Sequence, residues 1–248
     1  MRGIYTIWLR EMMRYSRDKA RVVSSLAMPL FFLFFIGSGL NTAFTAKQYE
    51  GVDYLQFMFP GILAMSLLFT SIGSGLSVIW DREFGFMREI LVAPIRRTSV
   101  VVGKILGGTS VAMIQGSLLL LAAPLLGLSV PLAAVPAILG TMALISSGIV
   151  GLGLLIAALS ESFEGHSIIM SFIVMPMFIL SGAFFPIEQL PSWLGALVAL
   201  DPLSYGVDLL RHLILGKGAN SIALNVGAMA CFSAVTIAAC TKAFGREM

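Results

Sequence analysis

Residues Asp81–Arg97 read DREFGFMREILVAPIRR, and this stretch decides how the chain is to be understood. Seven of its residues are charged, yet it sits between two long uncharged runs. On a helical wheel Phe84, Met87 and Leu91 fall on one side, while Arg82 and Glu89 fall on the other. Pro94 ends that helix, and Arg96 and Arg97 stand where the chain re-enters apolar sequence. A short amphipathic helix at a membrane surface has two ordinary uses. It floats among headgroups, or it is the handle by which a soluble partner moves the membrane part.

Working outward, composition confirms the membrane. The 248 residues are 58% hydrophobic and 12% charged, with a mean hydropathy of +0.93. Soluble domains carry roughly 25% charged residues, and spanning helices need about 20 apolar residues each. No strand-like alternation is present, so a β-barrel is excluded. Neither His166 and His212 nor any acidic cluster forms a metal site. Cys231 and Cys240, nine residues apart, match no disulfide or metal spacing and are read as packing residues.

Residues 2–21 are expected to form an amphipathic helix along the membrane. Arg10, Arg14, Arg17 and Arg21 make a basic stripe, opposite Ile4, Tyr5, Trp8, Met12 and Tyr15. A cleaved signal peptide fails as an alternative, because the apolar run Val22–Ala43 is too long. Six spans follow, at about 22–43, 55–79, 101–126, 132–159, 167–185 and 219–241. The third and fourth meet in a hairpin near Gly127–Pro131. Between the last two, Pro186, Pro191 and Pro202 cut residues 187–205 into pieces too short to span. The whole is read as one transmembrane domain over 1–248.

Six spans put both termini on one side. Arg2, Arg10, Arg14, Arg17, Lys19, Arg21, Arg82, Arg88, Arg96, Arg97, Lys104, Lys242 and Arg246 then share that side, against Lys47, Arg211 and Lys217 on the other. The positive-inside rule makes the first side cytoplasmic.

Several functions are weakened by what the spans lack. No Asp, Glu, Lys, Arg or His lies near the middle of any predicted span, which argues against a proton antiporter but leaves open Na+ sites of carbonyls and hydroxyls. No selectivity filter is visible. The Gly-Lys pairs at Gly103-Lys104 and Gly216-Lys217 lack the flanking residues of a phosphate-binding loop, so the chain is not expected to bind ATP. Gly103/Gly107 and Gly108/Ala112/Gly116 allow close helix approach, within the bundle or at a dimer seam. Gly37/Gly39, Gly73/Gly75 and Gly151/Gly153, with Pro29, Pro60, Pro136 and Pro176, point to bent or broken helices.

Two blocks carry a resemblance to the membrane subunits of ABC type-2 exporters, over essentially the whole length. The first is Asp81-Arg82-Glu83-Phe84-Gly85, then Glu89 to Pro94, then Gly103-Lys104. The second is Ser181 to Ile187, Leu190-Pro191-Ser192-Trp193-Leu194, Asp201-Pro202 and Asp208-Leu209-Leu210-Arg211. The resemblance implies an all-α membrane fold with a coupling helix at Asp81–Pro94, seated in a groove of a separate ATPase. Phe84, Phe86, Met87 and Leu91 would pack there, with Arg82, Glu83, Arg88 and Glu89 at the rim. Residues 2–21 would be a connecting helix touching that subunit through Arg10 and Arg14, and Glu161 and Glu164 a smaller contact. Residues 187–205 would be re-entrant external helices.

On this resemblance the chain is no enzyme and holds no cofactor; ATP and magnesium belong to two copies of the partner. A second copy, or a related permease, completes the transporter in the inner membrane of a prokaryote. The bundles would rock to open a path between spans one, two and five for an apolar or amphiphilic compound such as a drug, antibiotic or lipid. Met170, Phe172, Met175 and Met177 are candidate path residues, although each taken singly is more readily read as facing lipid or a neighbouring helix. A lipid-linked glycan exporter, a non-transporting scaffold, and a channel or secondary carrier remain as alternatives. No nucleic-acid partner is expected.

Overall fold

The computed structural model describes residues 2–37, 39, 52–85, 97–160, 162–187 and 190–247, and every regular element among them is helical. In chain order these are α1 (Arg2–Arg17), α2 (Lys19–Phe31), α3 (Tyr54–Glu83), α4 (Arg97–Ala122), α5 (Val135–Leu159), α6 (Phe163–Leu180), α7 (Ser192–Leu200), α8 (Pro202–Leu215) and α9 (Ile222–Glu247). Five stretches are long and apolar enough to cross a bilayer: Tyr54–Asp81, Thr98–Leu126, Leu132–Leu159, Phe163–Leu180 and Ile222–Phe244. Two bent pairs, Gly3–Arg17 with Val22–Gly37 and Ser192–Leu200 with Pro202–Leu215, also qualify when each is taken as one span, which gives five to seven candidate spans among the described residues. The protein is an all-helical membrane protein.

α3 and α5 form the centre. Their span windows are 72% and 67% buried inside the protein, against 22% for those of α6 and α9, which therefore face lipid or a partner. Lipid is as apolar as leucine, so close packing rather than water exclusion brings such helices together. Small residues supply it: a methyl on Gly75 would run into the Gly153 carbonyl, and one on Gly151 would crowd Thr236 of α9. Gly206 of α8 admits the Ile145 side chain. The larger core joins Phe57, Leu63 and Leu67 of α3 to Met142 and Ile145 of α5, Val207 of α8 and Met229 of α9. A second cluster at the other end of the bundle joins Val78, Val101, Leu154, Cys240 and Phe244.

Several expectations change on contact with this arrangement. α3 runs unbroken through Pro60 and the Gly73/Gly75 pair, and α6 through Pro176. Gly75, Gly151 and Gly153 are helix-crossing points, not bends. Pro136 lies in the first turn of α5, where its missing N–H costs nothing. α2 likewise runs through Pro29 as far as Phe31 and then passes into a π-helical turn, Phe32–Gly37.

The helix expected over 2–21 ends at Arg17, Lys19–Arg21 already belong to α2, and Gly3–Arg17 meets Val22–Gly37 at 69°. Asp81, Arg82 and Glu83 form the last turn of α3, followed by a turn at Phe84 and Gly85, whose φ is +74°. Residues 86–96 lie outside the described residues, and with them Phe86, Met87, Arg88, Glu89 and Leu91 and the rest of the expected coupling helix. The end of the first span beyond residue 39 and the loop that follows also lie outside them.

Cys240 is buried, but Cys231 is exposed. Nine residues turn an α-helix by about 900°, which places the two on opposite faces, and only one face of α9 meets the bundle. The pair of short helices after Pro186 is present as α7 and α8, bent by 90° at Asp201. α8 continues to Leu215, beyond the expected end at residue 205.

Candidate functional site

Three arrangements stand out, one at each end of the bundle and one between its outer helices. At the end that carries α1, the two residues of the first sequence block that are furthest apart meet. Asp81 accepts hydrogen bonds from Lys104 Nζ at 2.9 Å and from Arg10 Nη2. Lys104 also donates to Ser77 Oγ at 3.1 Å and lies 3.4 Å from Glu11 Oε1. The Lys104 side chain is 2% exposed. Gly103 and Gly107 make this possible, because they let α1 lie against α4: a methyl on either would strike Ile7 or Glu11. Trp8 Nε1 donates to Ser110 Oγ at 3.0 Å, and the Arg14 guanidinium lies 5.2 Å above the Trp80 ring. α1 is thus fastened to the roots of α3 and α4, on either side of the 84–96 segment.

Gly103 and Gly107 therefore act inside the bundle, and Gly108 and Gly116 do the same against Ser74, Val150, Met142 and Leu67. Arg10 and Arg14, expected to reach a partner or headgroups, are engaged within the chain. Glu83 is exposed and Phe84 is 80% exposed, while the Arg82 side chain and Glu161 lie outside the described residues. Glu164 is exposed in the first turn of α6, whose cap is Ser162 Oγ accepting from Gly165 N.

At the opposite end, the second sequence block forms a knot. The Arg211 guanidinium lies 4.1 Å above the Phe57 ring, and its Nη2 donates to the Gly182 carbonyl at 2.8 Å. Gly182 has φ +72°, which aims that carbonyl inward, and Ala183 fits against Gly61, where any side chain would collide with it. Tyr54 Oη donates to the Phe184 carbonyl at 2.9 Å. Asp208 accepts from Ala219 N, Asn220 N and Asn225 Nδ2 at 2.7–2.9 Å, tying α8 to the start of α9. Burying these charges is tolerable because each is matched by hydrogen bonds or an aromatic face. Among the described residues no group of histidine, cysteine and carboxylate side chains has the makings of a metal site.

The third arrangement is a cavity of about 380 Å3 between α2, α3, α4 and α6. Met28, Phe32, Met65, Phe69, Met175 and Phe178 supply its apolar wall, and Ser25, Ser66, Thr70 and Gln115 its polar positions. Of the four expected path residues, Met175 lines it. Met170 and Met177 pack against the main core, and Phe172 is 79% exposed on α6. Gln115 and Thr70 were legible only as polar residues in apolar runs, with nothing in the pattern to say which way they face.

The ABC-2 type transporter family matches residues 2–215. Nodulation protein J of Rhizobium leguminosarum bv. viciae is 26% identical over 245 residues, covering 98% of this chain and 93% of its own. Putative transport permeases ycf38 are also similar. That of Cyanophora paradoxa is 28% identical over 85% of this chain and 73% of its own, and that of Pyropia yezoensis 29% over 79% and 68%. A match that takes in the charged root, the cavity helices and the Asp208–Arg211 knot places this chain in the ABC-2 type transporter family, as a membrane permease.

Proposed function

We propose that this permease moves an apolar or amphiphilic compound (a drug, antibiotic or lipid) from the cytoplasm or inner leaflet outward, driven by a separate ABC ATPase. The cavity between α2, α3, α4 and α6 carries this reading. Its volume lies in the roughly 300–1,000 Å3 range of ligand sites, and its methionine and aromatic wall with a few hydroxyls suits a varied apolar body with a small polar group. These are the helices of spans one, two, three and five, and the first, second and fifth are those between which the sequence places a path. Met175 is the path residue we retain; Met170, Met177 and Phe172 would act only if α6 turns.

Two ATPase subunits would seat the segment 84–96 of two permease copies, with Phe84 as an anchor and Arg82, Glu83, Arg88 and Glu89 as rim charges. The exposure of Phe84 directly after a rigidly fastened helix end supports this. Glu161 and Glu164 would make the smaller contact; Arg10 and Arg14 would position the root instead of touching the partner. α1 and the last turns of α9 pack at the end of the bundle where Gly103 meets Ile7 and Phe244 joins Val101. The lysine and arginine distribution makes that end cytoplasmic, in an inner membrane.

The test is copurification from mild detergent of an ATP-binding subunit with the parent chain and with Phe84→Asp. Recovery with the parent and loss with the variant is the expected outcome, followed by ATP turnover that responds to apolar compounds. An ATPase absent from the parent preparation removes the motor and leaves a scaffold or carrier.

A further inference from the structure

Pro29 lies inside α2, and it leaves a specific group there without its usual donor. In an α-helix the N–H of residue 29 would bond to the carbonyl of residue 25, and proline has no N–H. In this structure the Ser25 carbonyl accepts instead from Gln115 Nε2 of α4 at 2.9 Å. Gln115 is 2% exposed, lies near the middle of the α4 span, and its amide is 3.5 Å from Ser66 Oγ of α3. Ser25, Pro29, Ser66 and Gln115 all line the cavity. The donor that Pro29 forfeits is therefore replaced across the cavity wall by a side chain from another helix.

The first span is also held in place by apolar packing on its inward side. Val23, Met28, Phe31, Phe34 and Phe35 are exposed, and its inward side meets the core through Leu26, Leu30 and Leu33. Apolar contacts in a bilayer exchange for lipid at small cost, whereas a carbonyl stripped of its donor does not.

We propose that Gln115 is a positioning residue that latches the first span shut over the cavity, so that the Gln115–Ser25 hydrogen bond sets how open the cavity is to the lipid side. The functional meaning of that opening rests on the cavity being the compartment for the transported compound. The geometry of the latch does not. Breaking the bond frees α2 to move away from α4, and a compound that offers its own acceptor to the Gln115 amide would do the same from within.

The experiment reads access without an ATPase or a transported compound. In the full chain with Cys231→Ala and Cys240→Ala, Thr70→Cys places a thiol on the cavity wall, and its labelling by N-ethylmaleimide is timed in phosphatidylcholine vesicles. Gln115→Met, which keeps the length but removes the donor, is expected to speed labelling about fivefold, the factor that one net hydrogen bond sets. Gln115→Asn, whose amide is too short to reach, should match it if the methionine variant does not fold. Adding Pro29→Ala returns an N–H to the Ser25 carbonyl and should make either substitution nearly silent. Labelling at the parent rate, or an acceleration of the same size with Ala at position 29, overturns the latch. Either result leaves the ATPase copurification standing or falling by itself.

Discussion

The Asp81–Lys104 pair is where the structure makes its sharpest energetic claim. Lys104 is 2% and Asp81 9% exposed, so neither charge can recover water if its partner goes. Removing one partner of a buried pair costs about 3–5 kcal/mol, while replacing both by apolar side chains of similar size is near neutral. Asp81→Leu leaves Lys104 with Ser77 and the more distant Glu11, which sets its cost at the low end, about 3 kcal/mol. Lys104→Leu leaves Asp81 with Arg10, itself 28% exposed, and a similar cost. For a chain of this length each kcal/mol moves the melting temperature by about 2–4 °C, so each single variant should lose about 6–12 °C in detergent. The double variant leaves Arg10 facing Glu11, which is already 3.7 Å away, and should melt above either single variant. A double variant that loses the sum of the two single losses would show that the charges act independently and refute the buried-pair account.

Three further outcomes follow from contacts elsewhere. Gly75→Val forces a branched side chain into the Gly153 backbone at the α3–α5 crossing, where neither helix can give way; it should exceed the 1–3 kcal/mol of ordinary overpacking and abolish a monodisperse peak in size-exclusion chromatography. Arg211→Lys keeps the charge but loses the flat guanidinium over Phe57, and a thermal melt should show a loss of about 2 kcal/mol. Phe84→Asp, at an 80% exposed position, should melt within about 0.5 kcal/mol of the parent, so that loss of the ATPase in copurification reports on docking rather than on folding.

The spans were legible because hydropathy reports depth, and depth is what a 20-residue apolar run specifies. Pro131 and Ser160 bracket the uninterrupted run Leu132–Leu159, in which a 3-10 turn leads into α5. Which way each helix faces was not legible. Lipid and neighbouring helices are equally apolar, so Phe172, Met170 and Met177 carry no mark separating outside from inside. The same degeneracy hid the role of the glycines: Gly73/Gly75 and Gly151/Gly153 have the composition of a hinge, and only the approach of a second backbone shows at Gly75 and Gly153 that they are a crossing. What breaks the degeneracy is polarity. Asp81 with Lys104, Asp208 with Asn225, and Gln115 with the Ser25 carbonyl each fix one helix against another by a bond with direction, across 23, 17 and 90 residues. Two of these three fall in the motif blocks, where their residue types were visible and their partners were not. The third lies in no motif, because its acceptor is a backbone carbonyl defined by a proline four residues further on. In a chain of apolar helices the sparse polar side chains therefore carry most of the information about orientation, and a reading from sequence improves by asking of each buried one which backbone group another helix has left without a donor.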